Sequence, residues 1–189
     1  MTDNENWTKI IFGRDYTDFI KTWLHRSKRQ RKYVDEADRF ICLWIAFNAW
    51  LKQHYGEEWK DTELLFGGIR KKGNDTKKTD GLAGSTEFNT IFDELQSNDK
   101  RYNILLDQLK NEGKICDMRY PDDDSKAEQF LGDFKTFIKV VYQIRCNLFH
   151  GRKNPDDKDT PDYRLIILAY KLLLPFFEEI LKSIHIEVE

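Results

Sequence analysis

Residues 130–151 read FLGDFKTFIKVVYQIRCNLFHG. In this stretch apolar side chains recur at steps of three and four residues, which places them on one face of an α-helix. The run is preceded by Ser125-Lys-Ala-Glu128, which has the form of a capping box, and Gly151 is suited to the position just after a helix end. The pattern therefore predicts a long helix from 125 to Gly151 at the centre of the domain. The apolar residues are Phe130, Phe134, Phe137, Val141, Ile144 and Leu148.

The segments around this helix also have helical periodicity, and none alternates convincingly as a half-buried strand does. We therefore expect one all-α domain over residues 1–189, a helical bundle with a long central helix and a kinked C-terminal helix. Pro175 predicts the kink. The other helices are expected over Asp15–Lys32, from a cap at Asp35 to about Leu51, over Glu87–Gln96 and Asp99–Lys110, and from Thr160-Pro161 to about Ile184.

The stretch Gly67–Gly84 is rich in Gly and Lys and predicts a long exposed loop over about 67–86. Gly68 and Gly73 have the spacing of a phosphate-binding loop. Asn74 and Asp75, however, occupy the positions where such a loop requires Lys and Ser or Thr. A phosphate-binding loop of that type is therefore excluded.

The composition limits the class of protein. The 189 residues include 31 Lys+Arg against 33 Asp+Glu, a formal net charge of -2, which excludes a nucleic-acid binder that is basic over its whole surface. Three widely spaced cysteines, Cys42, Cys116 and Cys146, indicate free thiols in a reducing compartment. The N-terminus lacks the pattern of a signal peptide, and no apolar run reaches about 20 residues. We therefore expect a cytoplasmic protein without a membrane segment.

The histidines and acidic turns do not have the spacing of metal ligands. His25, His54, His150 and His185 are not paired with another His or Cys at zinc-site spacing. The acidic turns at 121–124 and 156–162 lack the alternating ligands of a calcium loop. No metal and no cofactor are predicted.

The end of the central helix is the candidate for chemistry. On a helical wheel Arg145 lies about 60° from the apolar stripe, while Asn147 and His150 lie on the polar side, facing away from the helix's own core. The negative end of the helix dipole stabilises a charged imidazole by about 0.3–1 kcal/mol. A histidine near its titration point, beside an arginine and an asparagine, has the chemistry needed to cleave a phosphodiester. The alternative is a surface histidine without a function.

Three basic clusters are candidate phosphate contacts. Residues 21–32 contain six cations and no acid, residues 70–78 contain five cations, and two more cations directly follow His150. For 21–32 a solvated helix face is an equally good interpretation, and for 70–78 a solvated loop is favoured. The residues predicted to contact RNA are Lys28, Arg29, Arg31, Lys32, Arg152 and Lys153.

Two segments resemble a known family. Arg145-x-x-x-x-His150, at the end of a long helix and followed by Gly151, resembles the R-x(4–6)-H motif of the HEPN superfamily of ribonucleases. Residues 40–51, FICLWIAFNAWL, resemble the second-helix signature of stand-alone prokaryotic HEPN proteins of the Apea-like kind. Counted with the flanking positions, as 40–51 and 142–153, the two segments cover about 24 residues. The family often has a polar residue directly after the arginine, where this chain has Cys146, with Asn147 one place later.

The apolar stripe of 40–51 predicts that Trp44 and Phe47 are core residues rather than base-stacking ones. Asn48 is a polar residue in an apolar helix, so it needs a hydrogen-bond partner if it is buried. We expect it to serve the packing.

The resemblance implies a metal-independent endoribonuclease that acts on RNA as a homodimer, with two motifs meeting in a composite active site. In that family the RNA 2′-hydroxyl attacks the neighbouring phosphorus and leaves 2′,3′-cyclic phosphate and 5′-hydroxyl ends. His150 would transfer the proton and Arg145 would stabilise charge on the phosphoryl oxygens. Asn147 would orient His150, contact the phosphate or only satisfy the helix end. The wheel fits a dimer, because Asn147 and His150 would need a second surface to become buried.

Stand-alone members of the family are often toxins or antiviral defence effectors, and a nucleotidyltransferase-type antitoxin is a candidate partner. The alternative is a non-catalytic HEPN module that binds nucleotide or RNA, or serves as a dimerisation scaffold.

Overall fold

The structure is a computed structural model that describes residues 16–28, 36–72, 75–149 and 161–186. This part of the chain contains seven α-helices and two antiparallel two-stranded sheets. The helices are α1 (Thr17–Lys28), α2 (Glu36–Tyr55), α3 (Asp61–Phe66), α4 (Thr86–Asn98), α5 (Lys100–Asn111), α6 (Phe134–Phe149) and α7 (Pro161–Ser183). The strands are β1 (Gly68–Lys72), β2 (Asp75–Thr79), β3 (Lys114–Ile115) and β4 (Glu128–Gln129).

The helices form a bundle, so the predicted all-α class is confirmed. The C-terminal helix α7 packs against α2, α4, α5 and α6, while α1 packs against α2. Among the described helices α7 is the longest and packs against the largest number of other helices. It therefore takes the central position that we predicted for the helix over 125–151. The helix continues through Pro175 without starting a new element, as predicted, and the kink there stays a prediction.

The predicted start of α6 is wrong. Residues 124–126 form a 3₁₀ turn and Glu128 begins β4, so Ser125 does not open the helix. The helix begins after Gly132, whose φ of 104° favours glycine, and the Asp133 carboxylate accepts a hydrogen bond from the backbone N–H of Thr136 at 2.9 Å. Phe130 is nevertheless buried, although it precedes the helix.

The segment predicted as an exposed loop over about 67–86 is instead a β-hairpin followed by a 3₁₀ turn, Leu82–Gly84. β1 pairs with β2 in the register that places Arg70 opposite Lys77. At its base a Cβ on Gly81, which has φ of 66°, would lie 2.3 Å from the backbone nitrogen of Gly67, so only glycine fits. The strands consist mainly of Lys and Thr and show no apolar alternation. The sequence signal is the dipeptide Gly73-Asn74, which is typical of hairpin connections and lies outside the described residues.

A single aromatic-rich core joins the helices. On α6 the ring of Phe137 stacks on Phe92 of α4 at 5.1 Å between centroids and meets Phe176 of α7 edge-on at 6.2 Å. On α2 both Trp44 and Phe47 are buried, as predicted. Offset and edge-to-face ring pairs of this kind add about 0.5–1.5 kcal/mol to the effect of burial alone.

Some polar atoms inside α2 are buried without a hydrogen bond to any described residue: Asn48 Oδ1 and Trp44 Nε1. The expected partner of Asn48 is therefore not found in the described part of the chain. The three cysteines are free thiols, as predicted. Among the described residues no helix is both long and apolar enough to cross a membrane.

The aromatic core predicts a large effect of truncating Phe137, which is fully buried. Phe137→Ala should lower the free energy of unfolding by about 3–5 kcal/mol, because it removes buried apolar surface and leaves a cavity between three helices. Denaturant unfolding measures this. The matched control is Phe19→Ala on α1, where the phenylalanine is 45% exposed, and its expected loss is at most about 1 kcal/mol. Equal losses in the two variants would contradict the packing described here.

Candidate active site around Arg145

Arg145 lies one turn from the end of α6, at the edge of the core, as the helical wheel predicts. Its guanidinium carbon is 5.6 Å from the ring centroid of Trp44, 5.9 Å from that of Tyr142 and 4.7 Å from that of Phe149. A cation within about 6 Å of an aromatic face is attracted by the ring quadrupole. Burial raises the pKa of Tyr142 to about 12, so its hydroxyl stays protonated. The three rings therefore hold the guanidinium in one place.

The only described carboxylate paired with Arg145 belongs to Asp61, the first residue of α3. Their side chains are 21% and 28% exposed, and Nη2 lies 3.6 Å from Oδ2, which is longer than a hydrogen bond. Arg145 Nη1 lies 3.9 Å from Cys146 Sγ, and Nε is buried without a hydrogen-bond partner among the described residues. A guanidinium has five N–H donors, four of them on Nη1 and Nη2, so Arg145 keeps donors on these two nitrogens for an anionic ligand.

Asn147 lies on the polar side of α6, as the wheel predicts, but this side is covered. Its side chain is buried within the chain, because the segment between α5 and α6 packs there. Its Oδ1 accepts hydrogen bonds from the backbone N–H of Met118 at 3.0 Å and from Gln143 Nε2 at 2.9 Å. Its Nδ2 donates to the carbonyl of Cys116 at 2.9 Å. Asn147 thus needs no second protein surface to become buried, whereas His150, the other residue expected to need one, lies outside the described residues.

The segment that Asn147 binds also contains an ion pair, between Asp117 and Arg119. The buried carboxylate of Asp117 accepts hydrogen bonds from Arg119, at 2.9 Å from Nε and 2.6 Å from Nη2. These bonds lower the pKa of Asp117 to about 2, against the opposing effect of burial. Sequence reasoning missed this pair, because an Asp-x-Arg in a turn has no periodicity. Beside it lies a cavity of about 310 Å³, also lined by Lys139 and Gln143 of α6.

Of the predicted RNA contacts only Lys28 is described, and its Nζ lies 3.2 Å from Glu178 Oε1 on α7. An intramolecular ion pair of this kind favours the interpretation of a solvated helix face at that position. The other predicted site residues lie outside the described residues: Arg29, Arg31, Lys32, His150, Arg152 and Lys153. The structure therefore brings Arg145 together with Asp61, and leaves the pairing of Arg145 with His150 a prediction.

The described histidines are separated. His54 is half-buried against the Trp50 ring, 5.3 Å away, and burial lowers its pKa, whereas His25 and His185 are exposed. Within the described ranges no group of three or more His, Cys, Asp or Glu side chains could hold a metal ion.

Comparison of the chain with protein-family models, with curated proteins and with solved structures finds no match in any of the three. The HEPN resemblance rests on residues 40–51 and on Arg145 and His150 alone.

The buried hydrogen bonds of Asn147 predict a structural effect of its removal. Asn147→Ala leaves the Met118 N–H and the Cys116 carbonyl without their partner, which should lower the free energy of unfolding by about 1–3 kcal/mol. Faster hydrogen exchange at the Met118 amide should accompany the loss, because the segment then opens locally. Full stability with unchanged exchange would contradict the described role.

The Asp117–Arg119 pair predicts a pH dependence of stability. A carboxylate whose folded-state pKa is depressed stabilises the fold above its unfolded pKa of about 4, and this stabilisation is lost as the pH falls towards about 2. Asp117→Asn should therefore be less stable than the wild type above pH about 4, and the difference should shrink on acidification. Thermal unfolding across this pH range measures it, with Asp107→Asn on the exposed side of α5 as the control for a lost carboxylate. A difference that is independent of pH would count against the pair.

Proposed function

We propose that this chain is a metal-independent endoribonuclease that leaves 2′,3′-cyclic phosphate and 5′-hydroxyl ends. The observation that carries the proposal is the environment of the Arg145 guanidinium. Its guanidinium is held by three aromatic rings, has one loose ion pair within the described part of the chain, and lies at the end of a helix, five residues before His150 in the sequence. A preorganised cation with free N–H donors stabilises charge that develops on phosphoryl oxygens.

In the proposed reaction the RNA 2′-oxygen attacks the adjacent phosphorus and loses its proton to a base. The bond from phosphorus to the 5′-oxygen breaks, and that oxygen takes up a proton. We assign proton transfer to His150 and stabilisation of the non-bridging oxygens to Arg145. Asn147 receives a positioning role for the Cys116–Met118 segment, since its hydrogen bonds to Met118, Gln143 and Cys116 lie within the chain.

A homodimer with a composite site is part of the proposal. The ring of Phe149, which contacts Arg145 at the end of α6, is 46% exposed. A second copy packed against this ring would cover apolar surface and exclude water from the guanidinium, which strengthens its electrostatic effect. The role as a toxin or antiviral effector, restrained by an antitoxin, extends the same proposal and rests on the family resemblance.

One observation favours a second function, a non-catalytic module that binds RNA. The contacts of Arg145 with Asp61 and Trp44 join α6 to α3 and α2, which accounts for an arginine at this position without catalysis. The two functions differ in whether bound RNA is cleaved.

The decisive experiment incubates RNA with the purified protein in EDTA and identifies the new end groups by mass spectrometry. Wild-type protein should give cyclic phosphate and 5′-hydroxyl ends. His150→Ala should slow cleavage by about 10²–10⁴-fold through loss of proton transfer. Arg145→Lys keeps the charge but loses the planar fork of donors, and should slow cleavage by about 10²–10³-fold.

The matched control is Arg101→Ala, on an exposed position of α5, which should cleave at the wild-type rate. Thermal unfolding of each variant separates loss of chemistry from loss of fold. Cleavage by the His150→Ala, Arg145→Lys double variant at the wild-type rate would exclude the proposed mechanism. Tight RNA binding without cleavage by the wild type would establish the non-catalytic module instead.

A further inference from the structure

The β1–β2 hairpin has two faces of different character. Neighbouring side chains of a strand point to opposite faces, and directly opposed residues share a face. The register therefore places Arg70 and Lys77 on one face. The other face, which we call the outer face, consists of Ile69, Lys71, Thr76 and Lys78.

The first face is bound to the body of the protein. Arg70 Nε lies 3.1 Å from Glu63 Oε2 on α3, and its guanidinium is 5.2 Å from the ring centroid of Trp59. Lys77 Nζ lies 2.9 Å from Glu58 Oε1. Glu63 and Glu58 thus pair with Arg70 and Lys77. The contacts of the part-buried Arg70 turn this face towards the body of the protein, while the Lys77 side chain stays 69% exposed.

The outer face is exposed and positively charged. Ile69 is 63% exposed, and Lys71 and Thr76 are also exposed. The Lys78 side chain is 68% exposed, and its contact with the exposed Asp80, at 3.3 Å, is of the kind that contributes about 0–1 kcal/mol. An extended two-stranded surface that combines two lysines, a hydroxyl and one apolar side chain is complementary to a polyanion with an apolar component.

The hairpin is also joined to the candidate active site through one short helix. Asp61 at the start of α3 contacts Arg145, and Glu63 in the same helix contacts Arg70. The six residues of α3 span about 9 Å and the five residues of β1 about 17 Å. The outer face is therefore joined to the Asp61 end of α3 by at most about 26 Å of chain, within the span of one RNA strand of several nucleotides.

We propose that the outer face of the hairpin binds the phosphate backbone of RNA several nucleotides away from the bond that is cleaved. This inference rests on the proposed ribonuclease function and adds a second contact to the same substrate. Lys71 and Lys78 neutralise phosphates, and Thr76 donates a hydrogen bond to a phosphate oxygen. Ile69 contacts the sugar or base between them. Phosphate contacts of this kind increase affinity without sequence preference.

The test uses Lys71→Glu/Lys78→Glu in the full chain and measures binding of a 2′-O-methyl RNA, which lacks the attacking hydroxyl, by fluorescence anisotropy. The Kd should rise about tenfold or more, and the slope of log Kd against log salt should fall by about 1.4 for two lost contacts. In cleavage assays KM should rise for a long RNA while kcat stays unchanged. Cleavage of a trinucleotide should not change, because in this proposal the hairpin contacts RNA several nucleotides away from the cleaved bond.

The matched control is Lys100→Glu/Lys110→Glu on exposed positions of α5, which changes the net charge equally and should leave the Kd near that of the wild type. Lys71→Ala/Lys78→Ala replaces the reversal variant if circular dichroism shows that the latter does not fold.

The outcomes distinguish this inference from the proposed function. Cleavage by the wild type with unchanged RNA affinity in both hairpin variants would overturn the inference alone. Hairpin-dependent binding without cleavage would support the inference and overturn the ribonuclease function. Absence of RNA binding by the wild type would overturn both. Hairpin-dependent binding to vesicles of phosphatidylcholine and phosphatidylserine, in place of RNA, would assign the surface to a membrane and overturn the inference.

Discussion

The packing of aromatic rings along α6 sets the position of the candidate site. Phe134 and Phe137 pack against Phe92 of α4 and Phe176 of α7, so the helix is held on its apolar face by two neighbours. Close-packed protein interiors leave few alternative arrangements of the rings. The rotation of α6 about its axis is thereby determined, and this rotation decides that Arg145 lies at the edge of the core.

The opposite side of α6 is also covered, by polar contacts. Asn147 and Gln143 bind each other, and Asn147 binds the segment that includes Cys116 and Met118. Buried amides that satisfy their hydrogen bonds specify one register between a helix and a loop. Arg145 lies between these two covered sides, where the guanidinium is partly accessible and still surrounded by rings. This combination of restraint and access suits a residue that binds a phosphate.

The short helix α3 joins two cationic regions. Asp61 and Glu63 are two residues apart, and residues at this spacing on a helix do not face the same way. One carboxylate therefore points to Arg145 and the other to Arg70 at the base of the hairpin. A ligand that binds Arg145 or Arg70 therefore competes with a carboxylate of α3. Glu63 and Glu58 pair with Arg70 and Lys77, whereas Lys78 of the outer face contacts the exposed Asp80.

The sequence alone determined what depends on local periodicity. It predicted the helical class, the core positions of Trp44 and Phe47, the helix over Asp99–Lys110 that is observed as α5, and the place of Arg145 at the core edge, because a 3.6-residue repeat reports which side of a helix is buried. The tertiary structure decided the features that depend on residues far apart in the chain. The hairpin has no apolar alternation, and Gly132 breaks a periodic run that continues through Phe130. The periodicity therefore predicted neither the hairpin nor the start of α6. The burial of Asn147 and the pairing of Arg145 with Asp61 are set by which distant segment packs beside α6, and a helical wheel contains no information about such a neighbour.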